Sequence, residues 1–386
     1  MSKLISSVGK SLQSVFKNRS FSSRCFSTVE KEQEEVKWET RIFSGVQPTG
    51  AIHIGNYFGA IEKWVSLQDE GNRTIYSIVD LHSITLPQDP FELRANILLM
   101  TATLIACGID PKKSIIFQQS KVHQHTELFW VLSSLSTMAR LSHLPQYKEK
   151  SANLKDVPLG LFIYPVLQAA DILLYRSTHV PVGEDQEQHM QIAQTLARQF
   201  NNRFGLTFPS PQTIMAGDER NRIRSLREPG KKMSKSHQDA KSRIQLTDTP
   251  EQIVEKIKKS VTDHTSAVTY EPETRPGVSN LVLLHSLATG KTCEEICAEA
   301  KGMDTGRYKL EVADALIAHL KPIREEIERL QNSADFLQET LERGAERASF
   351  YAELTWRDVI DKVGLDIKHL PQQAKEMLKN SNTVPS

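Results

Sequence analysis

The sequence predicts an α/β fold, an open doubly wound parallel sheet with a C-terminal helical domain. Three observations carry this. Strand-like runs alternate with helical stretches, the connections between runs are long enough for right-handed crossovers, and after Thr249 the strand signals stop.

In chain order, Arg41 to Val46 reads as a short strand and His53 to Gln68 as the helix behind it. Arg73 to Asp80 is a second strand ending on an acid, Asp89 to Ala106 a helix, and Ser114 to Gln119 a third strand. Helical periodicity returns over Thr126 to Ala139, Pro165 to Tyr175 and residues 187–199. Beyond Thr249, Pro250 to Ser260, Leu281 to Thr289, Cys293 to Ala300 and Val312 to Leu330 all read as helices. A sheet wound this way binds ligands at the carboxyl ends of its strands, so the chemistry is expected in the loops that follow them.

Composition excludes some partners. The 386 residues carry 48 Lys and Arg against 47 Asp and Glu, a net charge of +1. A nucleic-acid partner must therefore be gripped by a local basic patch. No apolar run approaches the ~18 residues of a membrane span, so no membrane partner is expected. Cys25, Cys107, Cys293 and Cys297 form neither a C-x-x-C pair nor a secreted-type framework, and Cys293 and Cys297 at i, i+4 are at most half a metal site; reduced thiols are expected.

Residues 1–29 stand apart. They carry Lys3, Lys10, Lys17, Arg19 and Arg24, no acidic residue and nine serines, with Leu4, Val8, Leu12, Val15 and Phe16 on one helical face. That is the composition of a mitochondrial transit peptide, the alternative being a disordered basic tail. An acidic lead-in over residues 30–40 follows.

The stretch GVQPTGAIHIGNYFGA, residues 45–60, puts four glycines between the first strand and the first helix. Glycine there lets main chain approach a ligand, and the free N–H groups and dipole of a helix start favour an anion. His53 and Asn56, three apart at that start, point the same way. A nucleotide phosphate is the natural guest. Alone, the run reads equally as a glycine-rich turn around a structural histidine, for it is neither a P-loop nor a dinucleotide fingerprint. A second run, GKKMSKS at residues 230–236, sets Lys232 and Lys235 around Met-Ser where the α/β part ends; alone, it is a solvated basic loop.

Together the two runs resemble the HIGH and KMSKS signatures of class I aminoacyl-tRNA synthetases, about 180 residues apart, as in short members without an inserted editing domain. The segments FSGVQPTGAIHIGNYFGAI, VDLHSIT and GLFIYPVLQAADILLYRSTHVPVGEDQEQHMQIA are similar to the tryptophanyl-tRNA synthetase family, as are VSNLVLLHSLATG and YKLEVADALIAHLKPIREEIERL, particularly in its mitochondrial branch. The likeness runs from about Arg41 to Arg347. It implies a Rossmann-like catalytic domain over 41–229, a KMSKS loop region over 230–249, a helical tRNA- and anticodon-binding domain over 250–375, and a flexible tail over 376–386. It also implies a homodimer packed around residues 121–150.

The activity implied is ligation of L-tryptophan to tRNA(Trp) in the mitochondrial matrix. ATP, carrying Mg2+, forms tryptophanyl-adenylate with release of pyrophosphate, and the acyl group then passes to the tRNA 3′ end. No protein-bound zinc or iron-sulfur cluster is expected. By resemblance His53, Asn56, Lys150, Lys232 and Lys235 are catalytic. Gln47, Ile54, Gly55, Gly183, Glu184, Asp185, Ile223, Met233, Ser234 and Ser236 join His53, Asn56, Lys232 and Lys235 around ATP. Lys150, Glu184 and Asp185 also have plain readings, as a surface helix lysine and as a turn capping the following helix.

Asp171 is the residue expected to set specificity. It interrupts the apolar run Val166 to Leu174, where an unpaired carboxylate is costly. An indole N–H is a donor only, so a fixed acceptor at the end of an aromatic slot selects tryptophan over phenylalanine by roughly 10⁴ to 10⁵. Pairing inside the fold is the plainer alternative. Phe43, His82, Tyr164, Gln168, Val180, Val182 and Gln186 match family positions around the indole or the amino and carboxylate groups. Gln168 stands where many relatives have methionine, its amide free to bond ligand or Asp171, and His237-Gln238 replaces a frequent Asp-Pro after KMSKS. For tRNA phosphates Lys321, Arg324 and Arg329 are candidates, although ion pairing with Glu325, Glu326 and Glu328 explains them as well. Tyrosine activation would show a Gly-Ser-Asp-Gln-type segment in place of Gly183 to Gln186; a non-catalytic RNA-binding module has no reason to keep His53, Asn56, Lys232 and Lys235.

Overall fold

Near-continuous burial along the strands dictates a sheet covered on both faces: Ile75, Ile115 and Phe117 join one apolar cluster, while Tyr76, Ile78 and Ile116 join the other. The computed structural model describes residues 37–152, 154–183, 186–215, 223–235, 237–368 and 370–380. The expected transit peptide, Cys25, Glu184, Asp185 and Ser236 lie outside the described residues, as do most of the lead-in, the end of the tail and the side chain of Lys150. Five parallel strands, β1 (Arg41–Val46), β2 (Arg73–Ile78), β3 (Ile115–Gln118), β4 (His179–Val182) and β5 (Gln212–Met215), run in the order β3-β2-β1-β4-β5. This is the doubly wound α/β arrangement that the sequence predicts.

The helices are α1 (Ile54–Asn56, a π-helical turn Tyr57–Ile61, then Glu62–Asp69), α2 (Pro90–Ala106), α3 (Gln124–Ser133), α4 (Leu159–Leu174) and α5 (Glu187–Phe204). After the sheet come α6 (Pro250–Lys258), α7 (Pro276–Thr289), α8 (Cys293–Glu299), α9 (Thr305–Gln331) and α10 (Ala334–Val363). Capping explains the sharper starts. Asp89 Oδ1 accepts from the N–H groups of Phe91 and Glu92 at 2.8 and 2.9 Å, with Pro90 at the first helical position.

Several expected boundaries move. The helix expected over Thr126 to Ala139 is two, for α3 ends at Ser133 and Thr137 caps a separate turn, Met138–Ser142. The second strand stops at Ile78, and Asp80 instead starts the short helix Asp80–Ser83, its carboxylate accepting from the N–H groups of Leu81 and Ser120. α4 begins at Leu159, six residues before the expected Pro165, which sits inside it. An internal proline costs about 3 kcal/mol, but ten of the sixteen α4 residues are buried, and at ~1.5–3 kcal/mol for each large apolar side chain their burial wins.

Helices from both halves of the chain share the cores. Under α1 and α2 the apolar cluster runs on into α6, α7, α8 and α9, through residues such as Ile253, Leu281, Ile296 and Leu316. α10 instead lies along β3, with Ala345, Ala348 and Ala352 in the core of the opposite face. Gly344 makes that approach possible, since a Cβ there would sit 1.7 Å from the Ile116 carbonyl oxygen. Arg324 is buried, its guanidinium donating to the Asp248 carbonyl, and Arg329 and Lys321 pair with Glu326 and Glu325. The structure thus sides with ion pairing for Lys321 and Arg329, and Arg324 is no surface cation. Cys107, Cys293 and Cys297 are free thiols, and no described helix is long and apolar enough to cross a membrane.

Gly344→Ala forces α10 off the β3 backbone and is expected to cost roughly 3 kcal/mol, read as a lowered urea midpoint. A midpoint equal to the parent's would show that this contact yields freely.

Candidate active site

β1 and β2 pair along six residues, but β1 and β4 share the single registered pair Ile42 with His179. Pro181 has no N–H to give to a ladder, and its carbonyl accepts instead from Ser44 Oγ at 3.3 Å. The two strands therefore part at the place where the strand order reverses, the usual ligand position in such sheets. A cavity of about 360 Å³ opens there. All eight residues predicted around tryptophan line it: Phe43, His82, Tyr164, Gln168, Asp171, Val180, Val182 and Gln186. Gln47 and Gly183 of the predicted ATP set line it too, together with Gln146, Lys63 and Ile172, which the sequence reading did not single out.

Asp171 is buried in the wall of this cavity and accepts three hydrogen bonds. Its Oδ1 accepts from Gln119 Nε2 at 2.7 Å and His125 Nδ1 at 2.6 Å, and its Oδ2 from His82 Nε2 at 2.7 Å. Burial drives the carboxyl pKa up, but the hydrogen bonds from His125 and His82 outweigh it and hold the group below the ordinary carboxylate range. Pairing inside the fold and a place in the slot are thus both true of Asp171. Gln119, His125 and Tyr175 were missed by sequence reasoning; the available signal was a histidine and a glutamine flanking Val122 in an otherwise strand-to-helix turn.

Gln168 does not bond Asp171. It joins a second polar chain one turn earlier on α4, where His189 Nδ1 lies 2.9 Å from Gln168 Oε1 and 3.1 Å from Gln186 Oε1. Gln168 Nε2 donates to Gln186 Oε1 at 3.3 Å, and Tyr164 donates to Gln146 at 2.8 Å. The amide that replaces methionine is held by its neighbours, with its polar end spent sideways.

The two motifs meet through main chain. The segment after KMSKS runs against the segment before α1: Ile54 N donates to Ile244 O, Leu246 N to Ile52 O, and His53 bridges Gln245. Met233 N donates to Ile223 O, Arg224 bridges Lys232, and Asn280 on α7 clamps Arg224 by its N–H and C=O. Lys235 Nζ reaches 3.4 Å from both Thr49 Oγ1 and Gly50 O, so the KMSKS lysine closes on the glycine-rich loop. Asn56, Lys232 and Ser234 are exposed along the same junction, and Ile223 and Met233 are buried beneath it. His237 settles the loop's exit. Its Nδ1 accepts from Asp239 N at 3.1 Å and its Nε2 donates to Glu228 at 2.8 Å, so the imidazole fills the place of the usual Asp-Pro.

His53 is packed on Gly55, where a Cβ would come within 3.0 Å of the imidazole. Its buried Nδ1 has no hydrogen-bond partner among the described residues, a debt of about 1–3 kcal/mol that a ligand oxygen or hydroxyl can settle. Burial first, then Lys235, Arg243 and Lys232, push the His53 pKa down to about 3, so the ring is neutral at pH 7 and acts by hydrogen bond rather than by charge. Burial and the Arg243 guanidinium lower Lys235 to about 8. The lysine charge is therefore poised, and a polyanion beside it would stabilise it.

The family model for class I tRNA synthetases of tryptophan and tyrosine (W and Y) matches residues 35–321. A tryptophan–tRNA ligase from Caldanaerobacter subterraneus is 44% identical over 330 residues, 85% of this chain and 99% of that protein. The chain belongs to the class I tryptophan–tRNA ligases. Among solved structures, the tryptophanyl-tRNA synthetase of Mycoplasma pneumoniae matches at TM-score 0.76 with 30% identity, covering 87% of this chain and 99% of that one. That of Campylobacter jejuni, complexed with ADP and tryptophan, matches at TM-score 0.75 with 33% identity, covering 84% and 100%. This ligase keeps the family's fold, its paired motifs and its cleft.

Because Lys235 loses its proton near pH 8, kcat/KM for ATP is expected to fall as pH rises through about 8. Lys235→Arg should carry that limb out of range. An unchanged alkaline limb in the arginine variant would assign it to another group.

Proposed function

We propose that this ligase works in mitochondria and charges tRNA(Trp) in two steps at the β1/β4 cleft. In the first, a tryptophan carboxylate oxygen attacks the α-phosphorus of ATP; the new O–P bond forms as the bond to the β-phosphate oxygen breaks, and pyrophosphate leaves. In the second, the 2′-hydroxyl of the terminal tRNA adenosine attacks the acyl carbon, AMP leaves, and the hydroxyl proton is released. Neither step needs a protein nucleophile. The protein's part is to align the reactants and stabilise charge on the phosphoryl oxygens. The observation that carries this reading is the closure of Lys235 on Gly50 beside a cavity that has Asp171 in its wall.

In this reading, the indole ring occupies the slot between Phe43, Tyr164 and Val180, with its N–H toward Asp171. Gln186 and Gln47 lie nearer its amino and carboxylate groups. His53, Asn56, Lys232 and Lys235 face the triphosphate from two sides. Mg2+ arrives on ATP as part of the substrate. Among the described residues no group of three His, Cys, Asp or Glu side chains is arranged to hold a metal ion. Two further readings rest on composition and surface. The basic, serine-rich stretch 1–29 lies ahead of the family match, which begins at residue 35, and supports import. Trp130 and Met138 are 72% and 77% exposed within the segment expected to pair two copies, which supports a homodimer.

Pyrophosphate exchange into ATP, run across all amino acids on protein lacking residues 1–29, should respond to tryptophan alone. Lys235→Ala should slow it by ~10² to 10³, and Asp171→Ala should raise KM for tryptophan and cut discrimination against phenylalanine by at least ~10². Exchange driven by tyrosine, or selectivity untouched in Asp171→Ala, would remove the assignment. A reporter carrying residues 1–29 should enter mitochondria and the protein should sediment as two copies; a cytosolic reporter or a monomer refutes the corresponding reading.

A further inference from the structure

Behind the cavity wall lies a buried polar chain whose members, Tyr175 and His125, do not line the cavity. Tyr175 OH lies 2.8 Å from His125 Nε2, and His125 Nδ1 lies 2.6 Å from Asp171 Oδ1. A carboxylate oxygen can only accept, so His125 Nδ1 is the protonated nitrogen, its Nε2 accepts, and the Tyr175 hydroxyl donates. The rings are clamped: Tyr175 stacks on Phe43 at 5.5 Å, and Phe117 stacks on His125 at 5.7 Å. Both Tyr175 and His125 are fully buried. Directly after Tyr175, Arg176 adopts φ +48°, the only non-glycine positive φ among the described residues. It ends α4 in a Schellman turn, with Arg176 N bonded to Leu173 O and Ser177 N to Ile172 O, and its guanidinium is tied to Asp358 on α10 at 2.6 Å.

The two Asp171 oxygens are not equivalent. Oδ1 takes two donors, Gln119 and His125, neither of which lines the cavity; Oδ2 takes only His82, which does. We infer that Tyr175 and His125 are positioning residues for tryptophan selection: by fixing one imidazole tautomer they saturate Oδ1 from behind and present the remaining lone pair of Oδ2 to a ring N–H in the cavity. The inference rests on the reading of Asp171 as the indole acceptor. The groups facing its carboxylate are His82 from the Asp80–Ser83 helix, His125 from α3 and Gln119 from the turn after β3, with Tyr175 behind His125 just after α4.

The test uses pyrophosphate exchange with tryptophan and with β-(3-benzothienyl)alanine, which has the same shape without the N–H. The parent should prefer tryptophan by ~10² or more. Tyr175→Phe removes one oxygen and keeps the caged ring; His125→Asn keeps a donor at the Nδ1 position and loses the acceptor for Tyr175. In both, that preference should shrink at least about tenfold and KM for tryptophan should rise about tenfold, with kcat within about twofold. Parent-like preference and a parent-like KM for tryptophan in both variants overturn the inference. If Asp171→Ala abolishes the preference while these variants keep it, the inference alone fails. A parent preference near unity refutes the acceptor reading itself.

Discussion

The buried carboxylate of Asp171 is the constraint around which the rest of the cleft is organised. An ionised acid away from water is tolerated only when donors surround it, and here three arrive from three different elements. Each donor fixes its own element. Gln119 fixes the turn after β3, His125 the start of α3, and His82 the short helix after β2. A site that must hold a charge in the dry interior thereby ties the carboxyl ends of two strands to the last turn of α4. The walls of the cavity follow from that arrangement, and so does its rigidity, because none of these groups can move without leaving another unpaired.

The nucleotide side obeys a different rule. Its charges are exposed or half-exposed, and its contacts at Lys235 are long, 3.4 Å to Thr49 and Gly50, so nothing locks the lysine in place without a ligand. What is fixed there is backbone: the ladder that joins His53 to Gln245 and the clamp of Asn280 on Arg224. Such a division suits a phosphoryl transfer. The amino acid needs a shape and one acceptor, which a rigid slot supplies, whereas the triphosphate needs charge that can follow the reaction from ATP to pyrophosphate. His53 contributes without charge, since the cations around it would make a protonated ring costly.

Much of this was legible in the sequence because strand periodicity and motif spacing are local. β1 was read to the residue, and all eight slot residues were named from a match of short segments. Where local signal was weak, reading failed. β4 and β5 are four residues each, one with a proline inside, and give no clear period. Pro165 looked like the start of a helix because an internal proline is usually excluded, and only the burial of the rest of α4 reverses that expectation. Arg324 looked like a surface cation until α9 was seen to turn it inward to the Asp248 carbonyl. The donors to Asp171 lie 46 to 89 residues away along the chain, at His125 and His82, and no window of sequence could join them.

The helices after Thr249 join the two regimes. The core beneath α1 is continuous with α7 and α9, and His319 on α9 packs against both Tyr57 and Phe58 at the π-helical turn that follows the HIGN segment. A π turn carries one more residue per turn than the α-helix around it and persists where the surroundings demand it. Here the demand comes from α9 on one side and from the cavity on the other, since Gly59 and Ala60 of the same turn line the slot. A shift of α9 would therefore be felt first at α1, whose N-terminus bears His53 and whose middle walls the cavity. The slot side, by contrast, is backed by α10 through small residues pressed onto β3, and such a contact transmits position but has little room to slide. The loop before α1 is thus mechanically continuous with the C-terminal helices, while Asp171, the acid proposed to select the amino acid, is held from the far face of the sheet.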